Sequence, residues 1–158
     1  MNINIKKAER EDVAGILKLM RDFADFERLG DSCEINDERL AGAMFDDEAF
    51  VEGLVAFDGE NLIAYALFYP GFASFRGERG FYLEDIYIDS EYRGKNVGES
   101  MLRKIAKIAM SRGFERIDFQ VLDWNTPAIK FYEKLGAVGN AEECHFKFTG
   151  EAFRTLAC

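Results

Sequence analysis

Apolar and polar residues alternate from Asn2 to Ile5, and apolar residues then recur at helical spacing at Val13, Ile16, Leu17, Met20 and Phe23. The pattern predicts a short strand followed by a helix. Glu9, Glu11 and Asp12 crowd the helix start, where the dipole favours negative charge, and Gly30 is the expected stop. Leu40 and Met44 fit a shorter helix from Asp37 to Phe45. Apolar runs at 50–57 and 62–69 flank Asp58-Gly59-Glu60-Asn61, which reads as two strands and a turn. The stretch 70–80, rich in Gly and aromatics after Pro70, predicts a loop. Residues 81–88, FYLEDIYI, are apolar or aromatic at six of eight positions, so they predict a central strand. Glu84 and Asp85 interrupt it. Adjacent strand residues face opposite ways, so one acid is expected in a cleft or the core and the other elsewhere.

Met101, Leu102, Ile105, Ile108 and Ala109 form a helical stripe from Gly98 to near Gly113. Residues 114–122 read as a strand. Residues 123–137 read as a helix, with Thr126 as N-cap, Pro127 as the first helical residue and Gly136 as the stop. A last strand is expected over 143–148, and one or two helical turns over 150–158. The order β-α-α-β-β-β-α-β-α-β mixes antiparallel runs with one crossover helix between two central strands. It predicts an α/β fold: a single mixed, mostly antiparallel twisted sheet with helices on both faces. No Gly-x-Gly-x-x-Gly opens the first helix, which excludes a dinucleotide-binding fold.

The chain's 158 residues suggest a single domain over 1–158, large enough to bury a core without staples. A formal net charge of −9 disfavours nucleic acid as a partner. The acidic surface would attract a small cation, or it serves solubility alone. Cys33, Cys144 and Cys158 form no C-x-x-C pair and His145 is the only histidine, so no metal site is expected. Free thiols fit a reducing cytoplasmic setting. The N-terminus has no apolar run of signal-peptide length, and no stretch approaches the ~18 apolar residues of a membrane span.

The candidate chemistry starts at YRGKNVGES, residues 92–100, between a predicted central strand and a predicted helix. Free N–H groups at a helix start point outward, glycine lets a ligand approach, and Arg93 and Lys95 add positive charge. A phosphate or pyrophosphate is the expected ligand, or the stretch is only a strand-to-helix turn. It is not a nucleoside-triphosphate P-loop, because Asn96 follows Lys95 where Ser or Thr is required.

YRGKNVG resembles the Arg/Gln-x-x-Gly-x-Gly/Ala pyrophosphate loop of the GNAT superfamily of N-acetyltransferases. YLEDIYI, VLDWN and FYEKLGA resemble other segments of that family in order and distance, over nearly the whole chain. Within it, ADFER and SFRGERGFYLED resemble the spermidine/spermine (diamine) and thialysine acetyltransferase branch. The resemblance implies a GNAT-type fold and acetyl-CoA as co-substrate, with no metal. It also implies a homodimer and transfer of acetyl to a primary amine of a small cation by direct attack in a ternary complex. The alternatives are an acetyltransferase of peptide or protein amines, or a non-catalytic acyl-CoA sensor.

It also implies site residues. Ile86, Tyr87 and Ile88 on the strand, Arg93, Gly94, Lys95, Asn96, Val97, Gly98 and Glu99 in the loop, and Asn125 and Ala128 at the later helix would bind the cofactor. The N–H of Ile86 or Ile88 would receive the developing oxyanion. An amine with a pKa near ~10.4 must lose a proton before it attacks. Glu84 matches the group that takes this proton through water, with Asp85 a secondary candidate. The structural alternative is that both acids serve an Arg or backbone N–H groups. Tyr132 matches the general acid for the leaving thiolate, against a core aromatic beside Phe131 and Leu135. Phe26 and Glu27, with Glu84 and Asp85, match the amine side, against a solvated helix face for Glu27. Asn125 contacts the pantetheine arm or is only a turn residue. Phe72 to Phe75 would wall the amine pocket. Trp124 is expected in the core and His145 is read as structural. The branch's tryptophan in the segment here reading EECHFKF is missing, which bears on the amine and not on CoA.

Overall fold

Alternation along the strands decides which layer each side chain joins. In the computed structural model, which describes all residues from Met1 to Cys158, five strands follow one another in sheet order as in sequence. They are β1 (Ile3–Lys7), β2 (Glu52–Asp58), β3 (Asn61–Ala73), β4 (Glu78–Ile88) and β5 (Arg116–Asp118). The first three pairings are antiparallel and β4–β5 is parallel, so the sheet is mixed and mostly antiparallel. Leu54 and Ala56 pack on one face with α3 (Val97–Ser111). Val55, between them, packs on the other face with α1 (Val13–Phe26) and α2 (Asp37–Phe45). Helices therefore cover both faces of the sheet.

The helical stripe of α3 buries Val97, Met101, Ile105 and Ala109. Fully burying Met101 and Ile105 contributes about 1.5–3 kcal/mol each. Asn36 caps α2 by accepting from the Arg39 N–H at 2.8 Å. α1 ends before the expected Gly30, because Arg28 takes φ +63° and the Leu29 N–H bonds back to Ala24.

Several expectations are corrected. Residues 70–80 are not one loop: β3 and β4 form a long hairpin, and only 74–77 turn. Cross-strand pairing from Phe68 to Ala73 carries the glycine-rich stretch into the ladder. The strand expected over 114–122 shrinks to the three residues of β5, which sits at the sheet edge. Residues 143–148 form no strand.

The chain forms two compact units, Met1–Gln120 and Val121–Cys158. The sheet, α1, α2 and α3 lie in the first. The second holds α4 (Thr126–Lys134) and α5 (Gly150–Leu156), the latter where one or two helical turns were expected. Asn125, not Thr126, caps α4, its Oδ1 accepting from the Ala128 N–H at 3.4 Å. Thr126 is the first helical residue and Pro127 follows it. The helix stops where Gly136 takes φ +98°.

Candidate functional site

The register of β3 and β4 slips at one point. Leu67 pairs with Asp85 and Phe68 pairs with Leu83, so Glu84 has no partner on β3. This is a β-bulge, in which two consecutive residues oppose one. It overturns the expectation that the two acids face opposite ways. Tyr65, Leu67 and Tyr69 share one face of β3 by alternation, and Tyr65 and Leu67 lie in the layer against α1 and α2. Tyr69 donates from its hydroxyl to Glu84 Oε2 at 3.0 Å. Tyr65 donates from its hydroxyl to Asp85 Oδ2 at 3.0 Å. Both acids therefore turn to the α1/α2 face. The register slip between β2 and β3 behaves alike: Ile63 and Ala64, consecutive, both pack on the α3 side.

The two acids differ in depth. Glu84 is exposed and Asp85 half-buried. Burial pushes the Asp85 carboxyl up to about 6, against a lowering by the Tyr65 hydroxyl, with Glu84 and Glu27 adding like charge. Glu27, the C-cap of α1, is also pushed up by burial. Burial, with the bond to Glu84, pushes the Tyr69 hydroxyl up to about 12, so it stays a neutral donor. Burial likewise pushes Tyr65 up, far beyond the ordinary phenol range. Three carboxyls thus face one region. Phe72 and Phe75 are exposed at the hairpin tip, with relative exposures of 68% and 105%.

Just beyond Ile88 the chain enters the loop. Asp89 Oδ1 accepts from the Glu91 N–H at 3.0 Å, and the Tyr92 hydroxyl ties the loop to Asp58 Oδ2 at 2.9 Å. Gly94 takes φ +74° and Asn96 φ +62°, both left-handed. Asparagine is among the few residues besides glycine that tolerate this backbone. Asn96 makes no side-chain cap, and the first bond of α3 runs from the Ser100 N–H to Asn96 O at 3.0 Å. The N–H groups of Val97, Gly98 and Glu99 precede that bond at the positive end of a helix of 15 residues. Backbone donors on two left-handed turns and a helix start fit an anionic pyrophosphate.

Arg93 is also tied into the fold. Its guanidinium lies over the rings of Phe26 (4.6 Å) and Tyr87 (5.3 Å), and its Nε donates to Ile88 O at 3.2 Å. It clamps the end of α1 to the end of β4 as well as carrying charge. Lys95 lies over Tyr92 at 5.2 Å. Glu99 pairs with Arg103 at 2.6 Å on the exposed side of α3.

β5 pairs only with Gly80–Tyr82, so Leu83 to Ile88 have no ladder partner on that side. The Asp89 N–H bonds to Ile63 O on β3. The two-residue period then directs Tyr87 toward β3 and aims the N–H groups of Ile86 and Ile88 at the open edge. Glu27, Glu84 and Asp85 are thus brought together, and the same strand runs on past Ile86 and Ile88 to the loop.

Asn125, Ala128 and Tyr132 belong to the second unit. Asn125 is buried and its Oδ1 serves the cap of α4. Tyr132 is half-buried, its ring 5.2 Å from that of Phe131. Trp124 is 44% exposed and is not a core residue. His145 is exposed. Sequence reasoning missed Tyr65 and Tyr69. Their four-residue spacing put them on one strand face, but only the bulge brings the acids to that face.

A family model for the acetyltransferase (GNAT) family matches residues 16–137. A thialysine N-epsilon-acetyltransferase from Bos taurus is 37% identical over 98% of this chain and 97% of its own length. An L-ornithine N5-acetyltransferase from Arabidopsis thaliana is 39% identical over 58% of this chain and 40% of its own length. Among solved structures, an integron cassette protein from the V. cholerae mobile metagenome superposes with a TM-score of 0.82. It has 22% identity and coverage of 99% and 98% of the two chains, a likeness of fold alone.

Proposed function

This chain belongs to the acetyltransferase (GNAT) family, and on that premise we propose that it transfers acetyl from acetyl-CoA to a primary amine of a small cation. The acceptor is a thialysine-like, ornithine-like or polyamine molecule, and transfer is by direct attack in a ternary complex. The observation that carries the acceptor side is the bulge that turns Glu84 and Asp85 together onto the face holding Glu27. Three carboxyls suit an acceptor that carries an ammonium group in addition to the one that reacts. The names of the bovine and Arabidopsis relatives support the same class.

In this mechanism the reacting ammonium gives its proton through water to Glu84, which is exposed and held by Tyr69. The freed amine attacks the thioester carbonyl. The N–H groups of Ile86 and Ile88, on the edge that β5 leaves open, stabilise the charge on its oxygen. Tyr132 donates a proton to the departing thiolate. The loop from Arg93 to Glu99 holds the pyrophosphate of CoA, Asn125 contacts its pantetheine arm, and Tyr87 and Ala128 are further cofactor-binding residues. The reading of 1–158 as one domain is supported by a family match over 16–137, which begins in the first unit and ends in the second. A cytoplasmic setting is supported by three free thiols. Exposed Phe146 and Phe148 in the second unit support a homodimer.

The test is thiol release from acetyl-CoA with thialysine, ornithine, spermidine, putrescine and a lysine peptide. Release with the small amines is expected. Release with the peptide alone would move the acceptor to proteins, and tight CoA binding with no release would make the chain a sensor. Tyr132→Phe is expected to lower turnover about 100-fold or more while acetyl-CoA affinity holds. Unchanged turnover would remove Tyr132 from the chemistry.

A further inference from the structure

Tyr65 is wholly enclosed, paired in register with Val55 on β2 and Tyr87 on β4. A buried phenol needs a partner for its hydroxyl, and a buried phenylalanine would need none. Its partner is Asp85, a charged group that burial disfavours and that sits beside two further acids. An apolar pair of the same shape would pack here at less cost. The pairing is therefore poorly explained by stability. No buried side-chain polar atom is left without a partner. With Oδ2 held by Tyr65, Oδ1 is the oxygen left for an acceptor.

We infer that Tyr65 is a positioning residue for acetyl transfer: its hydroxyl holds Asp85 in one orientation and in its ionised form, so that Asp85 can anchor the acceptor's ammonium. This rests on the small-cation reading above. The groups acting on the pair come from α1, the segment after it, β3 and β4. They are Glu27 from the end of α1, Cys33 from the segment after it, Tyr69 from β3 and Glu84 from β4. Arg93 lies over Phe26 and over Tyr87, the residue paired in register with Tyr65. A hydrogen bond to a charged group favours that charge, so losing it raises the Asp85 pKa further.

The experiment is the pH profile of kcat/KM for the best amine, in the parent, Tyr65→Phe, Asp85→Asn and the double variant. Tyr65→Phe removes one oxygen and keeps the ring. Its acidic limb should move up by about one to two pH units, with KM for acetyl-CoA unchanged. In the Asp85→Asn background the same substitution should move nothing. Coincident profiles for parent and Tyr65→Phe, or a shift that survives in Asp85→Asn, would overturn the assignment. Carboxyl carbon titration of Asp85 by NMR in parent and Tyr65→Phe reads the same hold without turnover. Failure of all amines in the parent defeats the functional reading. A titration unmoved by Tyr65→Phe defeats the role of Tyr65 itself.

Discussion

Glu84 and Asp85 sit inside β4, and the loop from Arg93 to Gly98 follows it within the same continuous stretch of chain. The first region gathers negative charge; the second presents positive charge and open N–H groups. They are also enforced differently. The turns of the loop are made locally, by an Asx turn at Asp89, left-handed Gly94 and Asn96, and the start of α3, with Tyr92 adding one long-range tie to Asp58. The acid face is made by pairing with β3, because the slip that leaves Glu84 unopposed is a property of two strands. A local site tolerates changes elsewhere in the sheet, whereas a register-made site depends on its partner strand.

The largest expected difference lies at the acid face. Asp85 moves from 3.8 to about 6 on folding, which linkage makes worth up to about 3 kcal/mol. The raised pKa means that the native state binds the Asp85 proton more tightly than the unfolded chain does, although Asp85 is still mostly ionised at pH 7. Its contribution is complete below pH ~4 and is lost as pH rises through ~6. Relative to Asp85→Asn, the parent should therefore lose up to about 3 kcal/mol between pH 4 and pH 7, read from urea melts at both. An equal gap at the two pH values would mean Asp85 is not buried at this cost.

Arg93 joins the two regions, since its guanidinium covers Phe26 and Tyr87 while its backbone belongs to the loop. Arg93→Ala should cost about 1–2 kcal/mol of stability as well as weaken acetyl-CoA binding. A loss of affinity with unchanged melting would leave Arg93 with a cofactor-binding role alone. The smallest effect belongs to the loop alone. Asn96→Gly removes a left-handed non-glycine residue, so stability should rise by a few tenths to about 1 kcal/mol. Acetyl-CoA affinity, read by calorimetry, should be equal or tighter. Weaker binding would show that the Asn96 side chain takes part.

Much of this was legible in the residues themselves. The stripe Met101, Ile105, Ala109 identified α3 and its buried face, and the Gly94, Asn96 and Gly98 spacing identified the turn before it. The hairpin at 70–80 was hidden because its glycines and aromatics resemble loop composition, while cross-strand bonds decide otherwise. The cap of α4 was misplaced by one residue, since Asn125 and Thr126 both qualify chemically and only the bond to the Ala128 N–H chooses.

By itself, then, the sequence determined the helices, the sign of charge in each region and the ability of Asn96 to take a left-handed backbone, because these depend on neighbours a few residues away. The tertiary structure alone decided that Glu84 and Asp85 share a face, that Tyr65 and Tyr69 are their partners, and that Arg93 lies over Phe26. Each of those depends on which strand residue stands opposite which, and a shift of one position turns a side chain to the other face of the sheet.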